Sequence, residues 1–169
     1  EYSIRFAFFS GEEQGLWGSK HYAQYIQEAE ENLVCVINMD MCAEPRYLPH
    51  NTTNVDIDDG TTGSVATNNE ASQKLGRKME QVAEDYADLK VEFDPIFASD
   101  YMPFEARGYV CIGGYDGSAI EENSHYHSST DVMENLDMDF LTSVTKMMLA
   151  FAISEGRRNS EELAVDIKD

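Results

Sequence analysis

The stretch Ile4-Arg5-Phe6-Ala7-Phe8-Phe9-Ser10-Gly11-Glu12-Glu13-Gln14-Gly15-Leu16-Trp17-Gly18-Ser19 constrains this chain more than any other. An apolar run ends abruptly in two adjacent carboxylates. Gly11, Gly15 and Gly18 mark the loop behind it, and a helical pattern follows. The near-continuous aromatic and β-branched residues predict a buried strand over Ser3 to Phe9. A buried strand that delivers carboxylates at its C-terminal end is a way to build a site in an α/β protein. Adjacent carboxylates repel unless something positive lies near. A metal ion is the simplest such partner. It would give the two groups different tasks, one binding the metal and the other handling protons.

Further along, Tyr22, Tyr25, Ile26 and Ala29 recur at helical spacing and predict a helix over Ser19 to Glu31. Leu33 to Met39 reads as a second buried strand, ending at Asp40. A helix between two such strands is a βαβ unit with a right-handed crossover, which puts both carboxylate-bearing strand ends on one side of a sheet. Residues 44 to 69 read as a long polar excursion with a short strand at Asn54 to Ile57. Ala71, Leu75, Met79, Val82, Tyr86 and Leu89 form one stripe of a helix over Glu70 to Leu89. A short strand at Val91 to Phe93 stops at Asp94-Pro95. A short helix over Asp100 to Arg107 closes at Gly108. Tyr109 to Gly113 is a third buried strand, and a second long loop covers 114 to 130. Asp137 caps a final helix that runs to Glu155. Trp17 and Leu16 read as core or as pocket wall, with core favoured.

The 169 residues suit one domain, and 17 Phe or Tyr residues supply a core. The net charge of −20 argues against nucleic acid and anionic membrane surfaces as partners, since both reward basic patches. Three cysteines, Cys35, Cys42 and Cys111, are too few for a disulfide scaffold, although one pair such as Cys35 with Cys42 stays open.

Glu12, Glu13, Asp40 and the His125-Tyr126-His127 cluster all fall where strands end, with Asp131 shortly after. Positions 13, 40 and 127 lie 27 and 87 residues apart, a spacing that is weak evidence by itself. The convergence of strand ends is stronger. Carboxylates with imidazole and no thiolate suit a catalytic zinc with an open coordination position.

Four blocks together resemble the M28 family of zinc aminopeptidases. They are Phe6 to Ser19, Asn38-Met39-Asp40-Met41, Ser99-Asp100-Tyr101-Met102-Pro103-Phe104 and His127-Ser128-Ser129-Thr130-Asp131, in the family's order. The resemblance implies a three-layer α/β/α fold of the phosphorylase/hydrolase-like kind, with a mixed, mainly parallel central sheet. It implies a metallo-exopeptidase acting on peptides with a free N-terminus. Glu12 would be the general base, Glu13 and His127 would hold one zinc and Asp40 a second, and Asp100 and Asp131 would orient ligands from behind. It also favours a secreted or periplasmic location. A glutaminyl-cyclase-like acyltransferase and a non-catalytic interaction domain are the alternatives that share the fold.

The sequence departs from that pattern in two places. Tyr101 stands where the family has histidine. A His-x-Asp block and a metal-bridging aspartate precede the Glu-Glu strand in the family, whereas only Glu1, Tyr2 and Ser3 precede Ile4 here. The chain therefore reads as the C-terminal part of a catalytic domain, residues 1–156, with a polar tail at 157–169. By itself it is expected to be incomplete for activity, to hold one zinc or none, and to associate with another copy or with the missing N-terminal portion.

Overall fold

The computed structural model describes residues 2–43, 51–60, 66–96, 98–116 and 123–157. In chain order the elements are α1 (Trp17–Glu28), β1 (Val36–Met39), β2 (Thr52–Ile57), α2 (Ala66–Ala87), β3 (Lys90–Pro95), α3 (Met102–Glu105), β4 (Cys111–Tyr115) and α4 (Met138–Gly156). The strands form one sheet in the order β1-β4-β2-β3. β1 runs parallel to β4, with Val36 beside Cys111, and β2 runs parallel to β3, with Thr52 beside Lys90. β2 and β4 are antiparallel, with Ile57 beside Ile112. The sheet is thus mixed.

Successive residues on a strand face opposite sides, and Cys111 and Ile112 show what each side meets. Ile112 and Val55 pack against Leu75, Met79 and Val82 of α2 and against Phe140, Val144 and Phe151 of α4. Cys111 packs with Ala23 of α1, Ile96, and Tyr101 and Phe104 around α3. Helices cover both faces, giving three layers, α/β/α. The α4 start is fixed as its sequence predicts, since the Phe140 N–H donates to Asp137 Oδ1 at 2.9 Å.

The structure corrects several sequence expectations. Ser3 to Phe9 forms no ladder: among the described residues its backbone N–H and C=O groups make no backbone hydrogen bond. Phe6 is 75% exposed and Phe8 95%. An apolar run becomes a buried strand only where a neighbouring strand supplies a ladder and a layer covers it, and among the described residues this segment has no such ladder. The βαβ unit expected there is accordingly not closed. Trp17 is 68% exposed instead of core. The strand expected over Leu33 to Met39 shrinks to the four residues of β1, a half-buried edge. None of the three cysteines forms a disulfide, so the open pairing of Cys35 with Cys42 is not made. Tyr25 and Tyr86, placed on the inner stripes of their helices, point to solvent.

β2 is the largest departure. Its polar sequence reads as a minor strand in an excursion, yet it is buried and sits between β4 and β3. The rest of that excursion at 44–50 and 61–65, and residues 117–122 of the second loop, lie outside the described residues. Burial of β2 is made possible by a polar cluster on one sheet face. Asn54 Nδ2 donates to Asp94 Oδ2 and to Tyr115 Oη at 3.0 Å, and Tyr115 Oη donates to Asp94 Oδ2 at 2.9 Å.

Asp56 is the cost of that arrangement. It is 2% exposed, stands in register with Asp94, and has one oxygen with no hydrogen-bond partner. Burial first, then the charges of Asp94 and Asp40, push its carboxyl up to about 8. The folded chain therefore keeps a proton that the unfolded chain releases near its ordinary carboxylate value. This contribution to stability is full in acid and declines as pH rises toward 8. Asp56→Asn should remove the decline. In thermal melts its advantage over the parent should grow from pH 4 and level off above pH 8, whereas a difference that stays flat with pH would show that Asp56 is ionised in the fold.

Candidate active site

The Glu12-Glu13 pair is presented by a tight loop. The N–H groups of Gly15 and Leu16 both donate to the Glu12 carbonyl, at 2.9 and 2.8 Å, while Trp17 N–H reaches Gly11 O and Gly18 N–H reaches Ser10 O, each at 3.0 Å. These nested turns need glycine at two points. Gly15 has φ +110°, a conformation that L side chains rarely adopt. A Cβ on Gly18 would stand 2.8 Å from Ser10 O and 2.9 Å from Ser10 N. α1 begins at Trp17, directly behind the loop, so the two carboxylates sit in the turn that leads into the helix.

Asp40 follows the last residue of β1. Its Oδ2 accepts a hydrogen bond from Ser99 Oγ at 2.7 Å, and Ser99 Oγ accepts one from Asn38 Nδ2 at 2.9 Å. Ser99 is buried and comes from the loop after β3. The chain Asn38–Ser99–Asp40 leaves the second Asp40 oxygen available to the cavity. The side chain that touches Asp40 is that of Ser99, which precedes Asp100. Asp100 has a buried Oδ1 with no hydrogen-bond partner, and its charge acts on Glu12.

His127 arrives from the loop after β4. Its Nε2 lies 2.5 Å from Glu13 Oε1, and its ring stacks on Tyr126 with centroids 3.8 Å apart. The loop is shaped by Asn123, whose Oδ1 accepts the N–H groups of His125 at 2.9 Å and Tyr126 at 3.1 Å. His127 itself has φ +51° and Met41, next to Asp40, has φ +50°. Such left-handed conformations in non-glycine residues cost energy and concentrate at sites where geometry matters. His125 turns back into its loop, with Nδ1 2.9 Å from Thr130 Oγ1.

Glu13, Asp40, Met41, Tyr126, His127 and Asp131 line one cavity of about 270 Å³, with Cys42, Ala43 and Leu136 as its less polar wall. Glu12 stands beside it, with a pKa above the ordinary carboxylate range. Partial burial is the main cause, the charges of Glu13, Asp40 and Asp100 add to it, and His127 opposes it. Tyr126 is likewise raised, by burial and then by Glu13, Asp40 and Glu12. Burial pushes the Cys42 thiol up as well. The available donors are carboxylate oxygen and imidazole nitrogen, a set that suits zinc. Among the described residues, however, no three His, Cys, Asp or Glu side chains converge closely enough to hold one ion. Glu13 and His127 meet, and Asp40 stands apart on the same wall.

Sequence reasoning missed Ser99, Asn123 and the wall position of Tyr126. Asn123 left a signal: an asparagine two residues before His125 can close a turn through its own side chain.

Comparison with known proteins places the chain in a family. A sequence model of Peptidase family M28 matches residues 1–152. A probable leucine aminopeptidase 2 of Aspergillus oryzae is 28% identical over 90% of this chain and 33% of its own length. The LapA aminopeptidase of Legionella pneumophila superposes with a TM-score of 0.74 at 22% identity, over 90% of this chain and 39% of that one. BSAP, a zinc aminopeptidase from Bacillus subtilis, superposes with a TM-score of 0.66 at 21% identity, over 89% of this chain and 35% of that one. The chain thus spans about a third of the length of the relatives it matches. With the family match covering most of its residues, the chain belongs to peptidase family M28.

Proposed function

We propose that this chain carries the proton-transfer and metal-holding side of an aminopeptidase active site, acting on peptides with a free N-terminus. The observation that carries the reading is the 2.5 Å approach of His127 Nε2 to Glu13 Oε1, two residues 127 − 13 = 114 positions apart, with Glu12 next door. Zinc is the metal this reading assigns, supported by the donor set and by the Bacillus neighbour named as a zinc aminopeptidase. Glu13 and His127 would hold it, Asp40 would hold a second ion or the rim of the first, and the group would supply Lewis acidity toward water and a peptide carbonyl.

The chain's own residues have separable tasks in this scheme. Glu12 takes a proton from the attacking water and returns it to the leaving amine. Its raised pKa, set by burial and by the neighbouring carboxylates, brings it closer to the pH at which a base must also act as an acid. Ser99 holds one oxygen of Asp40 and so fixes where the other points. The excess of carboxylates attracts the α-ammonium of a peptide N-terminus.

Calorimetry and a leucine anilide assay test this together. The chain should take up zinc, and Glu13→Ala and His127→Ala should each weaken uptake by roughly ten-fold or more. Glu12→Gln should leave zinc affinity within a few-fold but lower any anilide hydrolysis by about a hundred-fold or more. Equal hydrolysis by Glu12→Gln would remove Glu12 as base, and pyroglutamate formed from a Gln-peptide would mark acyl transfer instead. Ser99→Ala leaves the Asn38 amide and an Asp40 oxygen without their partner. It should cost about 1–3 kcal/mol of stability, measurable by urea denaturation, with Ser99→Thr recovering most of it.

A further inference from the structure

We propose that Asn54, Asp56 and Asp94 form a binding site for a hard divalent cation, calcium, on the sheet face that β2 shares with β3 and β4. Asp56 stands in register with Asp94 on one side and with Gly113 on the other, and Asn54 stands in register with Tyr115. Asn54 and Asp56 lie two apart on one strand, so they project to the same face. Asp94 reaches over them from β3. Its Oδ2 accepts from Asn54 Nδ2 and, from the far side of β2, from Tyr115 Oη at 2.9 Å. Asp56 takes the space above Gly113, with Oδ2 2.9 Å from where a Cβ on that glycine would stand. The three side chains thus gather over β2, and the glycine leaves them room to do so.

What these groups lack identifies the ligand. Asp56 is 2% exposed and Asn54 4%, and the Oδ1 atom of each is buried with no hydrogen-bond partner. A buried acceptor left unmet is unfavourable, and a cation meets two such oxygens at once. Among the described residues no Lys, Arg or His pairs with Asp56 or Asp94. The charges that act on Asp56 are those of Asp94 and Asp40, both negative. Carboxylate and amide oxygens, with neither nitrogen nor sulfur among them, are the ligands of calcium and magnesium. Calcium suits this face better, because it accepts irregular geometry, whereas magnesium demands a regular octahedron and keeps several waters that so buried a place cannot hold. The donor set also differs from that of the cavity, where an imidazole joins the carboxylates. Without the ion, Asp56 meets the repulsion by keeping its proton; the ion takes the proton's place and ties β3 to β2. None of the three residues lines the cavity, and the inference stands apart from the catalytic reading.

Calcium uptake by the 169-residue chain tests it, after chelation and in enough salt to screen the net charge of −20. Equilibrium dialysis should find one calcium per chain, half-filled at about 0.1–1 mM. At ten-fold higher calcium the melting temperature should rise by roughly 3 °C or more. Asp56→Asn and Asp94→Asn each keep the side chain's shape and remove one charge. Both should fold, as their melts in calcium-free buffer show, and both should weaken uptake by about ten-fold or more. Glu13→Ala, altered in the cavity, should take up calcium like the parent. Terbium in place of calcium should emit on excitation of tyrosine, and Tyr115→Phe should lose most of that emission while it still takes up the ion. A parent that takes up no calcium above background would overturn the proposal. So would uptake unchanged in both asparagine variants, or uptake lost in Glu13→Ala alone, which would put the ion in the cavity.

Discussion

Carboxylates gathered in one place repel, and the organisation around this cavity follows from holding them there. The charges of Glu13, Asp40 and Asp100 all act on Glu12. Each clamp answers one part of that repulsion. His127 faces Glu13, Ser99 donates to Asp40, and the turns on the Glu12 carbonyl keep the pair from separating. The clamps come from three distant parts of the chain, the loop before α1, the loop after β3 and the loop after β4. Asp40 and His127 share a side of the sheet because β1 and β4 run parallel and deliver their following loops there. β3 runs the other way, and Ser99 reaches Asp40 from a loop that starts at the sheet's opposite end. The cavity is a product of topology more than of any local motif.

The same sheet carries a second concentration of acid, on β2 and β3, with the opposite solution. There Asn54 and Tyr115 donate to Asp94 and not to Asp56, which is left to keep its proton. Near the cavity, charge is held by donors and an imidazole in partial contact with water. Inside the sheet, charge is removed by protonation. Asp40 influences both groups, since its charge also raises Asp56, so the buried strand and the cavity are electrostatically joined through the sheet.

Much of this was legible in the sequence wherever a local pattern sets the outcome. α2 and α4 sit close to where the apolar stripes put them, and Asp137 caps as its position before an apolar run implies. Asp40 and His127 stand around one cavity because β1 and β4 run parallel and end on one side. What was not legible depends on neighbours. Ile4 to Phe9 reads as a strand by composition, but a strand needs a ladder that the segment cannot supply to itself. Thr52 to Ile57 reads as marginal because its polar residues are satisfied by Asp94 and Tyr115, which are distant in sequence. Ser99 carries no sequence mark of its own; its role exists only through the approach of its loop to β1.

The central claim is that Glu13 and His127 form a metal-holding pair beside a free Glu12. Anomalous diffraction from zinc-soaked crystals, collected on both sides of the zinc absorption edge, measures this directly. A peak in contact with Glu13 Oε1 and His127 Nε2, with Glu12 outside its coordination, is the predicted result. A chain that binds zinc elsewhere, or one in which Glu13 and His127 keep their direct contact with zinc in excess, would contradict it.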